Sequence, residues 1–204
     1  MGISQQIGSS SLIKPGVIDS AATRPASPYE GQVIFQKDTD ETLVWSGTAW
    51  VLPNKTQVAI FQEQKTNGSN VGNASTGAWT KRTLDTTVTN GITGCSLSSS
   101  VISLPAGSYT IQSQAPFYNT GMTTTRLRDT TNGVTLVTGT AHLLDDRYQT
   151  EGSLFLNGYF TLTGTANIEL QYYASSNYNA NSQGVAMTNG STEIYANIMI
   201  QKVP

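Results

Sequence analysis

An all-β fold is predicted for this chain of 204 residues by three features. Residues 99–117, SSVISLPAGSYTIQSQAPF, read as a strand, a tight turn and a second strand. Leu104-Pro105-Ala106-Gly107 suits the turn, because proline pre-sets φ and glycine accepts values that other residues avoid. Beyond the turn, Tyr109, Ile111, Ala115 and Phe117 alternate with Thr110, Gln112 and Gln114, which is the period of a half-buried antiparallel strand. Second, alternating segments of this kind recur at regular spacing between glycine-bearing turns, as in a sandwich or jelly roll. Third, no segment carries a sustained helical period.

Residues 1–24 read as an extended arm, with Ile3, Ile7, Leu12, Ile13, Val17 and Ile18 scattered among Ser, Gly and Gln. Either the arm frays, as termini do, or these apolar side chains dock on a larger partner and order there. Docking is the reading taken, and the six residues are the expected attachment points. Residues 25–53 form a small β-meander. Strands are expected at Gln32–Gln36, Thr42–Trp45 and Ala49–Leu52, with Phe35, Trp45 and Trp50 on the apolar face. A unit of about 30 residues needs a disulfide, a metal or association to be stable. Cys95 is the only cysteine, so association is left.

Residues 54–56 are a linker, and residues 57–204 a sandwich domain. Its strands are expected at Val58–Gln62, Trp79–Leu84, Ile92–Leu97, the hairpin within 99–117, and a second hairpin, Thr124–Arg128 with Val134–Val137, around Asn132-Gly133. Leu154–Leu162, Ile168–Tyr172 and Ile194–Ile200 complete the set. On the last strand Ile194, Ala196, Ile198 and Ile200 are expected to fill the core, with Tyr195, Asn197 and Met199 on the opposite face.

The totals exclude several function classes. Net charge is −2, only 12% of residues are charged, and no basic run exceeds Lys81-Arg82, so nucleic acid is not an expected partner. No apolar run of about 20 residues is present to insert in a membrane, and the first residues lack the apolar centre of a signal peptide. His142 is the only histidine. No nucleophile elbow, phosphate loop, dinucleotide fingerprint or zinc spacing accompanies it, so neither an enzyme nor a cofactor is expected. Asp145, Asp146 and Glu151 are the residues a cation would use. The ligand spacing of a calcium loop is missing, and a solvated loop balanced by Arg147 is the reading taken.

Two stretches resemble known families. Arg24-Pro25-Ala26-Ser27-Pro28-Tyr29-Glu30-Gly31-Gln32, followed by Thr42-Leu43-Val44-Trp45-Ser46-Gly47-Thr48-Ala49-Trp50, resembles a short module of tailed-bacteriophage virion proteins that links an attachment arm to a distal domain. Residues 57–204 resemble the C1q/TNF-like jelly roll in Trp79-Thr80-Lys81-Arg82, Leu104-Pro105-Ala106-Gly107-Ser108-Tyr109, Leu156-Asn157-Gly158-Tyr159-Phe160 and the closing Ile194–Ile200 strand. The resemblance implies a homotrimer, and Tyr159, Tyr173, Tyr195, Asn197 and Met199 are its expected interface, since tyrosine and methionine are enriched in such contacts.

Together these imply a virion protein made in the host bacterial cytoplasm. The expected role is a trimeric capsid decoration (cement) protein bound to the major capsid protein or another virion component. The alternative is a tail- or head-fibre protein that binds a host surface glycan. Its ligand loop would be residues 175–192, with Asn177, Tyr178, Asn179 and Asn181, a composition that binding loops favour. The same loop reads equally as a polar surface that keeps a dense assembly soluble.

Overall fold

The computed structural model describes residues 15–53, 56–144, 151–178 and 180–203. Ile3, Ile7, Leu12, Ile13, Asp145, Asp146, Arg147 and Asn179 therefore lie outside the described residues. The chain divides into two units, residues 1–55 and 56–204.

The first unit is a four-stranded sheet of β1 (Gly16–Ile18), β2 (Val33–Gln36), β3 (Glu41–Trp45) and β4 (Trp50–Val51), in that order. Strand β1 pairs parallel with β2, Val17 opposite Phe35, so Val17 and Ile18, expected in the extended attachment arm, belong to the sheet. The expected apolar face is displaced on β2 alone: Ile34 faces inward in place of Phe35, while Trp45 and Trp50 share the side of Leu43. Ile34 and Leu43 are the buried pair, while Phe35, Trp45 and Trp50 are half-buried. Gln36 is buried as well. Its Oε1 accepts from Arg24 Nε and Nη2, and its Nε2 donates to Asp38 Oδ1. These bonds satisfy its amide and leave the inward row to the aliphatic residues.

The second unit is a sandwich of β5 (Gln57–Lys65), β6 (Thr80–Lys81), β7 (Thr86–Asn90), β8 (Ser96–Ser98), β9 (Val101–Leu104), β10 (Gly107–Tyr118), β11 (Gly121–Asp129), β12 (Val134–Leu144), β13 (Glu151–Leu162), β14 (Ala166–Ala174) and β15 (Glu193–Val203). One sheet has the order β13-β10-β15-β5-β7. The other has the order β12-β11-β14-β9-β8, with β6 on β14. Apart from the hairpins β8–β9 and β11–β12, successive strands cross between the two sheets, and the first and last long strands lie side by side, so the domain is a jelly roll.

The turn at Leu104–Gly107 is present, but it does not make a hairpin. Strand β9 pairs with β14 and β8, whereas β10 pairs with β13 and β15, so the turn is a corner between sheets. The hairpin that does form lies one step earlier. Ser99 and Ser100 both have positive φ, 49° and 62°, which matches the twist of the flanking strands β8 and β9. Ile92–Leu97 is not a strand over its length; the chain pairs earlier, at β7, and again only from Ser96.

The core draws on both sheets, with Phe61, Ile111, Phe117, Leu156, Ile198 and Ile200 facing Ile102, Leu127, Leu170 and Tyr172. Glycine closes one side. Strand β12 meets β13 where Thr140 Oγ1 bonds both the carbonyl and the N–H of Phe155. A Cβ on Gly139 would lie 2.7 Å from the Phe155 carbonyl oxygen, and one on Gly158 would lie 2.5 Å from Val137 Cγ1.

One charged pair sits inside. Arg82 and Glu63 are each 1% exposed, with Nη2 and Oε2 3.2 Å apart. Arg82 also donates to the Gln183 side chain and carbonyl and to the Tyr195 carbonyl, and lies over the Phe117 ring at 5.4 Å. Burial pushes the Glu63 carboxyl above its ordinary value, against the pull of Arg82 and Lys65. Removing one partner of such a pair strands the other charge. Arg82→Met is predicted to cost about 3–5 kcal/mol in chemical denaturation, and Glu63→Met/Arg82→Met to regain much of that loss. A single-variant loss below about 1 kcal/mol would contradict this role.

Candidate association surface and loop layer

At the centre of the five-stranded sheet the outward residues form three adjacent cross-strand rows. Tyr159, Thr110, Gln201 and Val58 form one; Asn157, Gln112, Met199, Ile60 and Thr89 the next; Phe155, Gln114, Asn197 and Gln62 the third. None of these residues is charged. Tyr159 is 60% and Phe155 43% exposed, and the amides are partly tied to one another, Gln62 Nε2 to Asn197 Oδ1 at 2.9 Å and Gln64 Nε2 to Gln62 Oε1 at 2.7 Å. Where the third row ends, Gln114, Pro116, Ser153, Ile194 and Asn197 line a shallow depression of about 250 Å³.

Of the five expected interface residues, Tyr159, Asn197 and Met199 share this face. The other two do not. Tyr173 lies on β14 in the opposite sheet, its ring 5.9 Å from that of Trp79. Tyr195 is buried at 5% exposure, and its hydroxyl donates to the Ser69 carbonyl at 2.9 Å. The cause is a register shift between Ile194 and Ala196 against β5. The extra residue turns Tyr195 and Ala196 both inward and leaves Ile194, expected in the core, 54% exposed.

The loop of residues 175–192 is bonded along its length to the loop of residues 66–77. Asn67, Asn70 and Asn73 each accept a backbone N–H through Oδ1, from Gly190, Ala186 and Asn181 respectively. Ser182 Oγ accepts from Ala74 N, and Val71 N donates to Gly184 O. Glu193 Oε1 takes three backbone N–H groups, those of Gly68, Met187 and Thr188. Burial pushes the Glu193 carboxyl up, but the three N–H donors outweigh it and hold the group below its ordinary value.

Among the expected ligand-loop residues, Asn181 is thus a scaffold position with φ at 64°. The buried Oδ1 of Asn177 has no partner among the described residues, while Tyr178 presents an exposed ring. The asparagine content of residues 175–192 was legible in the sequence; that Asn67, Asn70 and Asn73 bond this loop from the other one was not. Arg82, Glu63 and Glu193 were missed altogether, because single charged residues in alternating segments carry no mark of burial.

Glu151 is exposed at the start of β13, opposite Tyr118. No group of three His, Cys, Asp or Glu lies close enough to hold a metal among the described residues. Burial pushes the Cys95 thiol up to about 11, so little thiolate exists at neutral pH.

No family model matches the chain, and no curated protein matches it. Solved structures with a similar chain path include murine APRIL at pH 5.0 (14% identity, TM-score 0.49, 73% of this chain and 100% of that one). The globular domain of zebrafish complement 1qA protein is similar at 12% identity and TM-score 0.46, over 74% and 98% of the two chains. PRD1 vertex protein P5 is similar at 18% identity and TM-score 0.44, over 72% and 97%. The strand order itself, not these likenesses, defines the fold.

The lowered Glu193 carboxyl makes the loop layer sensitive to acid. A group whose folded pKa lies below its unfolded value contributes stability above the unfolded pKa and loses it as pH falls through the folded one. Amide exchange at Met187 and Thr188 is therefore expected to quicken, relative to the core strands, as pH drops below about 4. Glu193→Gln should flatten that dependence, and an unchanged acid limb in the variant would contradict it.

Proposed function

We propose that the chain is a structural protein of a bacteriophage virion, a homotrimeric capsid decoration protein that binds a shell through its N-terminal residues. The observation that carries the association is the centre of the outer face of the five-stranded sheet, three adjacent rows without a charged residue, with Glu151 standing on the same face at the start of β13. Interface centres are depleted of charge and enriched in tyrosine, phenylalanine and methionine, and Phe155, Tyr159 and Met199 all stand on this face. The threefold state follows the resemblance of residues 57–204 to the C1q/TNF-like jelly roll. The virion setting follows the resemblance of residues 24–50 to the phage attachment module.

In this reading the sandwich closes against two copies of itself through β10, β13 and β15. Attachment falls to the apolar residues ahead of the small sheet, Ile3, Ile7, Leu12 and Ile13. Each aliphatic side chain buried at a capsomer seam contributes about 1.5–3 kcal/mol before ordering costs are subtracted, and a trimer presents each of them three times. No catalytic step belongs to this role.

Removing residues 1–14, which spares β1, is expected to leave a soluble oligomer that no longer cosediments with capsids lacking this chain, while the full chain does. Full-strength capsid binding by the truncated protein would contradict attachment through these residues.

A further inference from the structure

The outer face of the opposite sheet has a different character. Arg126 and Arg128 stand two residues apart on β11, so both point outward. The Nη1 atoms of both approach one neutral oxygen, Thr135 Oγ1, at 3.4 and 3.5 Å. Neither arginine has an ion-pair partner among the described residues. Glu169, the cross-strand neighbour of Arg128, instead accepts from Gln171 Nε2 at 2.7 Å and lies 3.9 Å from Lys81. Three cations and one carboxylate thus share the face, on a chain whose net charge is −2.

The arginine geometry is fixed in advance. The Arg126 guanidinium lies 4.0 Å from the Trp79 ring centroid, and its Nε donates to Gln171 Oε1 at 2.9 Å. Trp79, 38% exposed, leans on Tyr173. Holding two guanidinium groups together around a hydroxyl is unfavourable by itself; burial and the charge of Arg128 both push the Arg126 group down from its ordinary value. A bound oxyanion would accept charge-assisted hydrogen bonds from both forks at that point.

We propose that the Arg126–Arg128 pair, with Trp79 and Tyr173 beside it, is a binding site for an acidic saccharide. The arginines would take the carboxylate or phosphate, the exposed aromatic edge would meet the sugar ring, and Gln171 and Thr135 would bond its hydroxyls. The patch is too small for the backbone of a nucleic acid, which needs a longer basic track. The site stands apart from the uncharged sheet face and does not depend on whether the chain assembles on a shell.

The test is a fluorescence titration of the full chain in a Trp45→Phe/Trp50→Phe background, where Trp79 is the remaining reporter. The probes are trigalacturonate, glucose 6-phosphate and neutral maltotriose. At least one acidic probe is expected to shift Trp79 emission saturably, with Kd about 0.1–1 mM, weakening as salt rises. Maltotriose should not. Which acidic probe binds separates carboxylate from phosphate.

Arg128→Gln, which leaves the Arg126–Trp79 stack in place, is expected to weaken binding about tenfold, and Arg126→Gln/Arg128→Gln to abolish it. Absence of saturable binding by both acidic probes would overturn the proposal. So would binding unaffected by Arg128→Gln, or saturable binding of maltotriose as strong as that of the acidic probes.

Discussion

One extra residue in the last strand sets what both ends of that strand can do. Strand β15 must direct Ala196, Ile198 and Ile200 into the core between the sheets. It must also direct Glu193 and Tyr195 inward, where they hold the loop layer. Strict alternation cannot satisfy both sets, since one has even and the other odd numbers. The shift between Ile194 and Ala196 reconciles them, and Arg82, bonded to the Tyr195 carbonyl and to Gln183, clamps the place where the register changes. The guanidinium is affordable there only because Glu63, Gln183 and the Phe117 ring surround it.

That constraint separates two surfaces. Beyond the shift the strand presents Asn197, Met199 and Gln201 to the outside, continuous with Gln112, Gln114 and Tyr159 on the neighbouring strands, and the centre of the face carries no charge, Glu151 standing at its end. The opposite sheet collects the arginines, Lys81 and Glu169. Under the proposed association the uncharged centre of the first face is the side that meets other copies, because desolvating unpaired charge costs more than desolvating satisfied amides and aromatic rings. The loop layer is bonded together through Asn67, Asn70, Asn73 and Glu193.

Local chemistry made the β class and most strand positions legible. Alternation located β10, β13 and β14, Asn132-Gly133 located the β11–β12 hairpin, and proline and glycine located the turn after Leu104. Pairing was harder to read, because alternation names the face of a strand and not its neighbour. The Leu104–Gly107 turn therefore passed for a hairpin although it joins two sheets, and the true hairpin at Ser99-Ser100 lacks the usual asparagine and glycine. Tyr195 was misplaced for a related reason: a one-residue shift inverts every side chain before it and leaves no mark in composition. In the small sheet Trp45 and Trp50 were placed on the correct side, but Phe35 was taken for the inward residue of β2, where Ile34 and Gln36 point inward and Arg24 and Asp38 satisfy the amide of Gln36.

The most direct test of this account is the mass of the assembled species in solution, measured by sedimentation equilibrium for the native chain and for Met199→Glu. A charge at the centre of the neutral face is expected to yield single chains of 21.8 kDa, where the native protein sediments as three. A native protein that sediments as one chain, or a Met199→Glu variant that assembles as well as the native one, would contradict it.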